Sequence, residues 1–93
     1  MDAADLLPCP CCGHRTLPDL GQYELCPVCF WEDDPNQSTH PDSPNGANGK
    51  SLAESQRTYL SIGAMDAQFL KNVRSAWPSE TIDGDWRPLQ HND

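Results

Sequence analysis

Two short cysteine motifs constrain this chain more than any other feature of its sequence. Residues 9–12 read CPCC and residues 26–29 read CPVC, so both fit the pattern C-P-x-C. In such a knuckle the first thiolate begins a tight turn, the proline fixes φ, and the second thiolate closes the turn. Two knuckles supply four thiolates, which is enough for a closed tetrahedral metal site. The predicted metal ligands are Cys9, Cys12, Cys26 and Cys29.

The sequence leaves the role of this site partly open. Four thiolates suit a structural Zn²⁺ ion, and the same four sulfurs could hold iron in a rubredoxin-like site. C-x-x-C is also a thioredoxin-like redox spacing, but no βαβ pattern surrounds either motif here. We therefore expect one structural Zn²⁺, with Fe as the alternative metal.

Cys11 and His14 lie beside the first knuckle and have less defined roles. Cys11 occupies the variable position of CPCC, where a side chain normally points away from the metal, so we expect a free thiol. A reactive thiol, with its pKa lowered by N–H groups or by Arg15, is the alternative. His14 could replace a cysteine as a ligand, but four thiolates already fill a tetrahedral shell.

The size of the chain and its cysteine count favour a metal over disulfides. A hydrophobic core alone is marginal for 93 residues, so some additional staple is expected. The N-terminus shows no secretory signal, and no stretch approaches the about 18 apolar residues of a membrane span. Cytosolic thiols stay reduced, and five cysteines cannot all pair within one molecule. We therefore expect a cytoplasmic, metal-binding protein that does not interact with membranes.

The charge of the chain argues against nucleic acid as a partner. The net charge is −8, and residues 1–45 contribute −7 because eight acids there face Arg15 alone. Four thiolates with one Zn²⁺ bring the total to about −10. Phosphate backbones are bound through clusters of Lys and Arg, which this chain lacks. We expect instead a protein partner, for which a basic surface is the electrostatic match.

The order of motifs predicts a ribbon, a loop and two helices. Residues 16–17 and 23–25 flank an Asp-Leu-Gly turn and predict a short β-hairpin between the knuckles. Residues 32–50 hold almost nothing apolar, so we expect a long loop there. An S-x-x-E capping box then begins a helix from about Leu52 to Ser61, and apolar spacing predicts a second helix over about residues 66–76.

These elements define the predicted architecture. The fold class is α+β, with a small rubredoxin-like zinc ribbon followed by an αα-hairpin. We expect one domain over residues 1–77. Residues 78–93 form a C-terminal tail that is either frayed or docked through Trp86.

The residues that directly follow the second knuckle are the candidate functional segment. Neighbouring carboxylates could bind a hard cation or act as general acid and base, but an extended chain turns neighbours to opposite sides. Alternatively the last acid forms a turn with the proline after it, and the others pair with arginines or face water. The aromatic pair could lie at the surface as a partner-binding site, or the tryptophan could cover the metal. The candidate partner-binding residues are Phe30, Trp31, Glu32, Asp33 and Asp34.

Longer stretches of the sequence carry a family resemblance. Four stretches in unbroken order resemble the bacterial cysteine-rich CPCC family over about residues 7–75. They are PCPCCG, GQYELCPVCFWEDDPNQS, GANGKSLAESQRTYLSIGA and FLKNVR. The resemblance implies a zinc site at the four knuckle cysteines and implies no reaction. Many members have a further cysteine near the position of Met65, and its absence here argues against an essential ligand there. Some relatives occur among toxin and immunity genes, which implies an inhibitor or immunity role.

Two functions follow as hypotheses. The first is a small acidic cytosolic protein with a structural zinc site of four cysteines that acts as a protein-binding or regulatory module, an immunity-like role included. The alternative is a hydrolase-like enzyme that uses the carboxylates of Glu32, Asp33 and Asp34. Zinc with four sulfur ligands has no open position for water, so catalysis would require a second metal or an unaided carboxylate site. We therefore expect a binding protein rather than an enzyme.

Overall fold

The computed structural model describes residues 6–89, and short elements follow one another along this range. Two strands pair antiparallel in one sheet, with Leu7 opposite Leu17. None of the helices within the described range is long and apolar enough to cross a membrane. The elements are β1, Leu7–Pro8; β2, Arg15–Leu17; α1, Pro35–Thr39; α2, Leu52–Ile62; and a 3-10 turn, Ala67–Phe69.

The two knuckles repeat the same backbone geometry at a spacing of 17 residues. The first cysteine of each donates its N–H to the carbonyl five residues later, at 2.9 Å for Cys9 and 3.0 Å for Cys26. The residue after the second cysteine donates back to the first, at 2.7 Å for Gly13 and 2.8 Å for Phe30. These two residues have positive φ, +79° and +71°. The chain therefore builds its metal-binding turn twice, once with glycine and once with phenylalanine.

The strand pairing differs from the hairpin that the sequence predicted. β1 and β2 pair across the first knuckle, so the sheet lies before and after that turn rather than between the knuckles. The second knuckle has an equivalent pairing, an isolated bridge between Leu25 and Glu32. Each knuckle closes its own small hairpin because the turn between its cysteines already reverses the chain.

The first predicted helix is confirmed, with its end one residue beyond the predicted one. Ser51 Oγ accepts a hydrogen bond from the N–H of Glu54 at 3.1 Å, and Gly63 ends α2 in the left-handed conformation, with φ +91°. The helix packs against the first knuckle, where Gln56 Nε2 donates to the carbonyl of Pro10 at 2.8 Å. Through this hydrogen bond α2 contacts the backbone of the first metal-binding turn.

The second predicted helix, and with it the αα-hairpin, is not present in the described residues. Within residues 66–76 only the 3-10 turn Ala67–Phe69 forms. Beyond it the N–H of Arg74 donates to the carbonyl of Pro27 at 3.2 Å, so the backbone pairs with the second knuckle. Asn and Val have weak helix propensity, and residues 72 and 73 are of these types, so tertiary hydrogen bonds prevail over the helical spacing.

The predicted long loop contains a short helix and its own polar scaffold. Asp34 caps α1, because its Oδ1 accepts from the N–H of Asn36 at 2.8 Å. Gln37 is fully buried, and its Nε2 donates to the carbonyls of Ser43 and Lys50 at 3.2 and 2.9 Å. One buried amide therefore organises a segment that has almost no apolar side chains to bury.

The C-terminal segment over residues 78–89 contacts the first knuckle. Trp86 Nε1 donates to the carbonyl of Pro10 at 2.9 Å, and its ring lies against the backbone of Gly13. The division into a domain ending at residue 77 and a tail stays a prediction. The last part of the predicted tail, residues 90–93, lies outside the described residues.

Glu80 is the buried acid of this segment. Its side chain is 3% exposed and accepts two hydrogen bonds from the Arg74 guanidinium, at 2.7 and 2.9 Å. The N–H of Trp77 donates to the same carboxylate at 2.8 Å. Hydrogen bonds from Arg74 first, and from this amide second, hold the pKa of Glu80 below its ordinary value.

We expect Glu80→Gln to lower stability by about 1–2 kcal/mol near neutral pH. A carboxyl whose pKa is depressed in the folded state contributes stability above its unfolded pKa of about 4.3, a window that includes neutral pH. Urea unfolding of both zinc-loaded proteins at about pH 7 measures the difference, because acid would protonate the thiolate ligands and release the metal. Asp85→Asn, at an exposed acid, is the control, and a loss no larger than that of the control would contradict the assignment.

Candidate metal centre

Four buried sulfur atoms converge between the two knuckles. The Sγ atoms of Cys9, Cys12, Cys26 and Cys29 all lie within 4.8 Å of one another, and the residues are at most 1% exposed. Cys9 Sγ is 3.6 Å from Cys29 Sγ, and Cys12 Sγ is 3.7 Å from Cys26 Sγ. A tetrahedral ion with metal–sulfur bonds of about 2.3 Å holds its sulfur ligands about 3.8 Å apart. The four cysteines are therefore positioned to bind a metal ion.

The protonation of these thiols depends on burial and on their mutual hydrogen bonds. Burial raises the pKa of Cys9 and Cys29, whereas hydrogen bonds, chiefly from Cys12, lower the pKa of Cys26. Thr16 Oγ1 lies 3.0 Å from Cys26 Sγ and is placed to donate to a thiolate there. Four thiolates in one dry cluster repel each other, and a dication removes that repulsion. The residues present thus fit a thiolate-preferring metal ion.

The core of the protein surrounds this site. Leu17, Val28, Trp31 and Met65 are buried in the same cluster as the cysteines. The N–H of Met65 donates to the carbonyl of Cys29 at 2.8 Å, so this methionine lies next to the second knuckle. With all four ligand side chains buried, an ion here would have no face open to solvent.

Cys11 and His14 stand outside the group of four. Cys11 is fully buried but does not belong to the convergent set of sulfurs. Its assignment as a free thiol stays a prediction. His14 Nδ1 lies 2.6 Å from the carbonyl oxygen of Glu80 and so contacts the C-terminal segment.

The candidate residues after the second knuckle divide between interior and surface. Trp31 and Asp33 are buried, whereas Phe30 and Glu32 are half-buried. Asp34 is buried as well. In this structure three of the five candidate partner-binding residues therefore offer no contact surface.

The two aspartates bind backbone N–H groups. Asp33 Oδ2 accepts from the N–H of Gly21 at 2.7 Å, and Asp34 Oδ2 accepts from the N–H of Ala47 at 3.0 Å. The Ala47 hydrogen bond is the main reason why the pKa of Asp34 lies below its ordinary value. Both carboxylates hold loops in place, which is the structural alternative to a catalytic pair.

Asn48 is a site residue that the sequence did not reveal. Its Oδ1 accepts from the N–H of Glu32, and its Nδ2 donates to the carbonyl of Glu32, both at 2.8 Å. Asn48 Nδ2 also donates to Gln37 Oε1 at 2.8 Å. The Asn48 side chain thus makes the two backbone hydrogen bonds that a neighbouring strand would make, and it holds the Glu32 backbone in place. No local pattern in the asparagine- and glycine-rich loop signals this role.

The described residues define a small cysteine-rich protein with a potential metal site, built from two cysteine knuckles, four convergent buried thiols and the helix α2. The Cysteine-rich CPCC family model matches residues 7–80, which is more than half of the chain, and the protein belongs to this family. The resemblance seen in the sequence is thereby confirmed. No curated protein matches the chain.

Proposed function

We propose that this protein is a protein-binding module whose fold depends on one structural Zn²⁺ ion. The observation that carries the structural role is the burial of all four knuckle sulfurs, which leaves no position for substrate or water. Zn²⁺ suits a set of four thiolates and has no redox chemistry of its own. An ion in such a site holds the two knuckles together and does no catalysis.

The loop between the knuckles, residues 18–25, supports the binding role. Leu20, Tyr23 and Leu25 are 45%, 53% and 49% exposed in this short loop. Glu24 is also exposed and makes no ion pair within residues 6–89. Large apolar side chains left in water close to one another are typical of interaction surfaces. The acidic surroundings favour a partner with a basic surface.

The rest of the proposal follows from charge and thiol chemistry. A protein with net charge −8 does not suit nucleic acid, so the partner is a protein, and regulatory or immunity-like inhibition is the form of activity we propose. Five cysteines without disulfides fit the reducing cytoplasm. The hydrolase alternative has no specific support, because Asp33 and Asp34 are engaged by backbone N–H groups.

Affinity capture with matched surface variants tests the binding role. The zinc-loaded protein is immobilised beside Tyr23→Ser/Leu25→Ser and beside Leu60→Ser/Ile62→Ser, whose positions on α2 are 58% and 42% exposed. We expect a partner that the α2 variant retains and the loop variant loses. With that partner purified, calorimetry should give at least a tenfold weaker Kd for the loop variant, equivalent to about 1.4 kcal/mol. Equal binding by both variants would contradict the proposal.

A further inference from the structure

Phe30 has a left-handed backbone conformation, and the residue at the equivalent position of the first knuckle is a glycine. The φ angles are +71° at Phe30 and +79° at Gly13. A side chain with a Cβ is strained in this region, and bulky residues are rare there. A glycine at this position is sufficient to form the turn, as Gly13 shows in the first knuckle. The turn therefore does not need the phenylalanine, and the strained backbone at Phe30 points to a role for its side chain.

The ring of Phe30 forms one wall of a small surface pocket. Its centroid lies 4.8 Å from that of Phe69, with the ring planes inclined by 42°. The pocket has a volume of about 130 Å³. A water occupies about 30 Å³, so the space takes one side chain and is smaller than the about 300 Å³ of common cofactor sites. Its lining includes Leu25, Phe30, Glu32, Asn48, Met65 and Phe69.

Glu32 gives this apolar pocket its chemical preference. It is the only charged residue among the described residues that line the pocket, and it makes no ion pair within residues 6–89. Two hydrogen bonds with the Asn48 side chain, one accepted and one donated by Asn48, hold the backbone of Glu32 in place. A cation that enters the pocket therefore meets the Glu32 carboxylate next to two aromatic rings.

We propose that this pocket binds a single arginine side chain of the protein partner. The aliphatic stem would lie against Phe30 and Phe69, and the guanidinium beside Glu32. A planar guanidinium stacks on aromatic rings and pairs with a carboxylate in a fixed geometry, which a lysine ammonium does not do. This inference rests on the proposed binding function and identifies one anchor of the basic partner.

Titration of the ¹⁵N-labelled, zinc-loaded protein with n-butylguanidinium tests the pocket directly. We expect saturable shifts of the amides of Phe30, Glu32 and Phe69. The neutral isostere n-butylurea should bind at least tenfold more weakly, and Glu32→Gln should remove this preference without altering the rest of the spectrum. An equal response to both compounds, or no saturable shift at these amides, would overturn the inference.

Phe30→Gly separates a binding role from a structural one. Glycine relieves the strain but loses the ring contact with Phe69 and the packing of Phe30 against the core, so the urea midpoint should fall while the protein stays folded. Butylguanidinium binding should fall at least tenfold. A large loss of stability with unchanged binding would overturn the assignment.

The same experiments keep this inference separate from the proposed function. If a partner depends on Tyr23 and Leu25 while the pocket ignores butylguanidinium, the arginine assignment alone fails. If butylguanidinium binds with the expected preference and no loop-dependent partner exists, the pocket stands and the proposed function fails.

Discussion

Serine in place of Cys26 is expected to abolish both metal binding and the cooperative unfolding transition. Five of the 12 buried hydrophobic residues in the described part of the chain are cysteines, so the core is small without the metal. Zinc binding contributes about 10–16 kcal/mol in zinc-finger peptides. That is as large as the total stability of a typical domain, about 5–15 kcal/mol. Loss of one ligand should therefore leave the chain unfolded.

Cys11→Ser is the matched control for this prediction. Cys11 is as buried as the four knuckle cysteines but lies outside their cluster. We expect native mass spectrometry to find one zinc ion in wild type and in the Cys11 variant, and none in the Cys26 variant. Circular dichroism should show a melting transition for the first two only, and EDTA should abolish it. A Cys11 variant without zinc, or a folded Cys26 variant, would contradict the proposed ligand set.

The features that the sequence predicted correctly are those that local chemistry dictates. Each C-P-x-C turn forms within its own few residues, so the sequence predicts both pairs of ligands. The start of α2 followed from Ser51, whose hydroxyl caps the helix without help from distant residues. The meeting of the two knuckles joins sulfurs 14 and 20 residues apart, and it was predictable only because a tetrahedral metal site needs both pairs of thiolates.

The features that the sequence missed depend on hydrogen bonds between distant segments. Gln37 bonds to Lys50, and Arg74 to Pro27, across separations that no periodic pattern encodes. One local signal was available for α1. An aspartate followed by proline is a helix N-cap with proline in the first turn, and Asp34 has this role.

The candidate segment after the second knuckle was only partly predictable. Local geometry indicates that neighbouring side chains point to different sides, but the sequence does not show which side faces the core. The structure turns Trp31 and Asp33 inward and leaves Phe30 and Glu32 at the surface. The acids were therefore a poor guide as a group, because Asp33 and Asp34 are buried whereas Glu32 is half-buried.

Gly13→Ala is expected to destabilise the protein strongly. Its φ of +79° alone costs a non-glycine residue about 1–2 kcal/mol. An added Cβ would also lie 2.5 Å from Cδ2 of Trp86, and overpacking of this kind costs about 1–3 kcal/mol. Together we expect a loss of about 2–5 kcal/mol in the free energy of unfolding, measured by urea denaturation.

Two further variants separate these contributions. Gly63→Ala is the control for backbone strain, because its φ is +91° and an added Cβ would meet no atom within 4 Å. In a Trp86→Ala background, Gly13→Ala should cost no more than this control, so the two sites should be coupled by about 1–3 kcal/mol. Additive effects would show that contact with the Trp86 ring does not contribute to the cost of Gly13→Ala.

Trp86 lies beyond the family match, which ends at residue 80. Strong coupling would thus mean that this chain stabilises the first knuckle with a segment outside the residues that the family model matches.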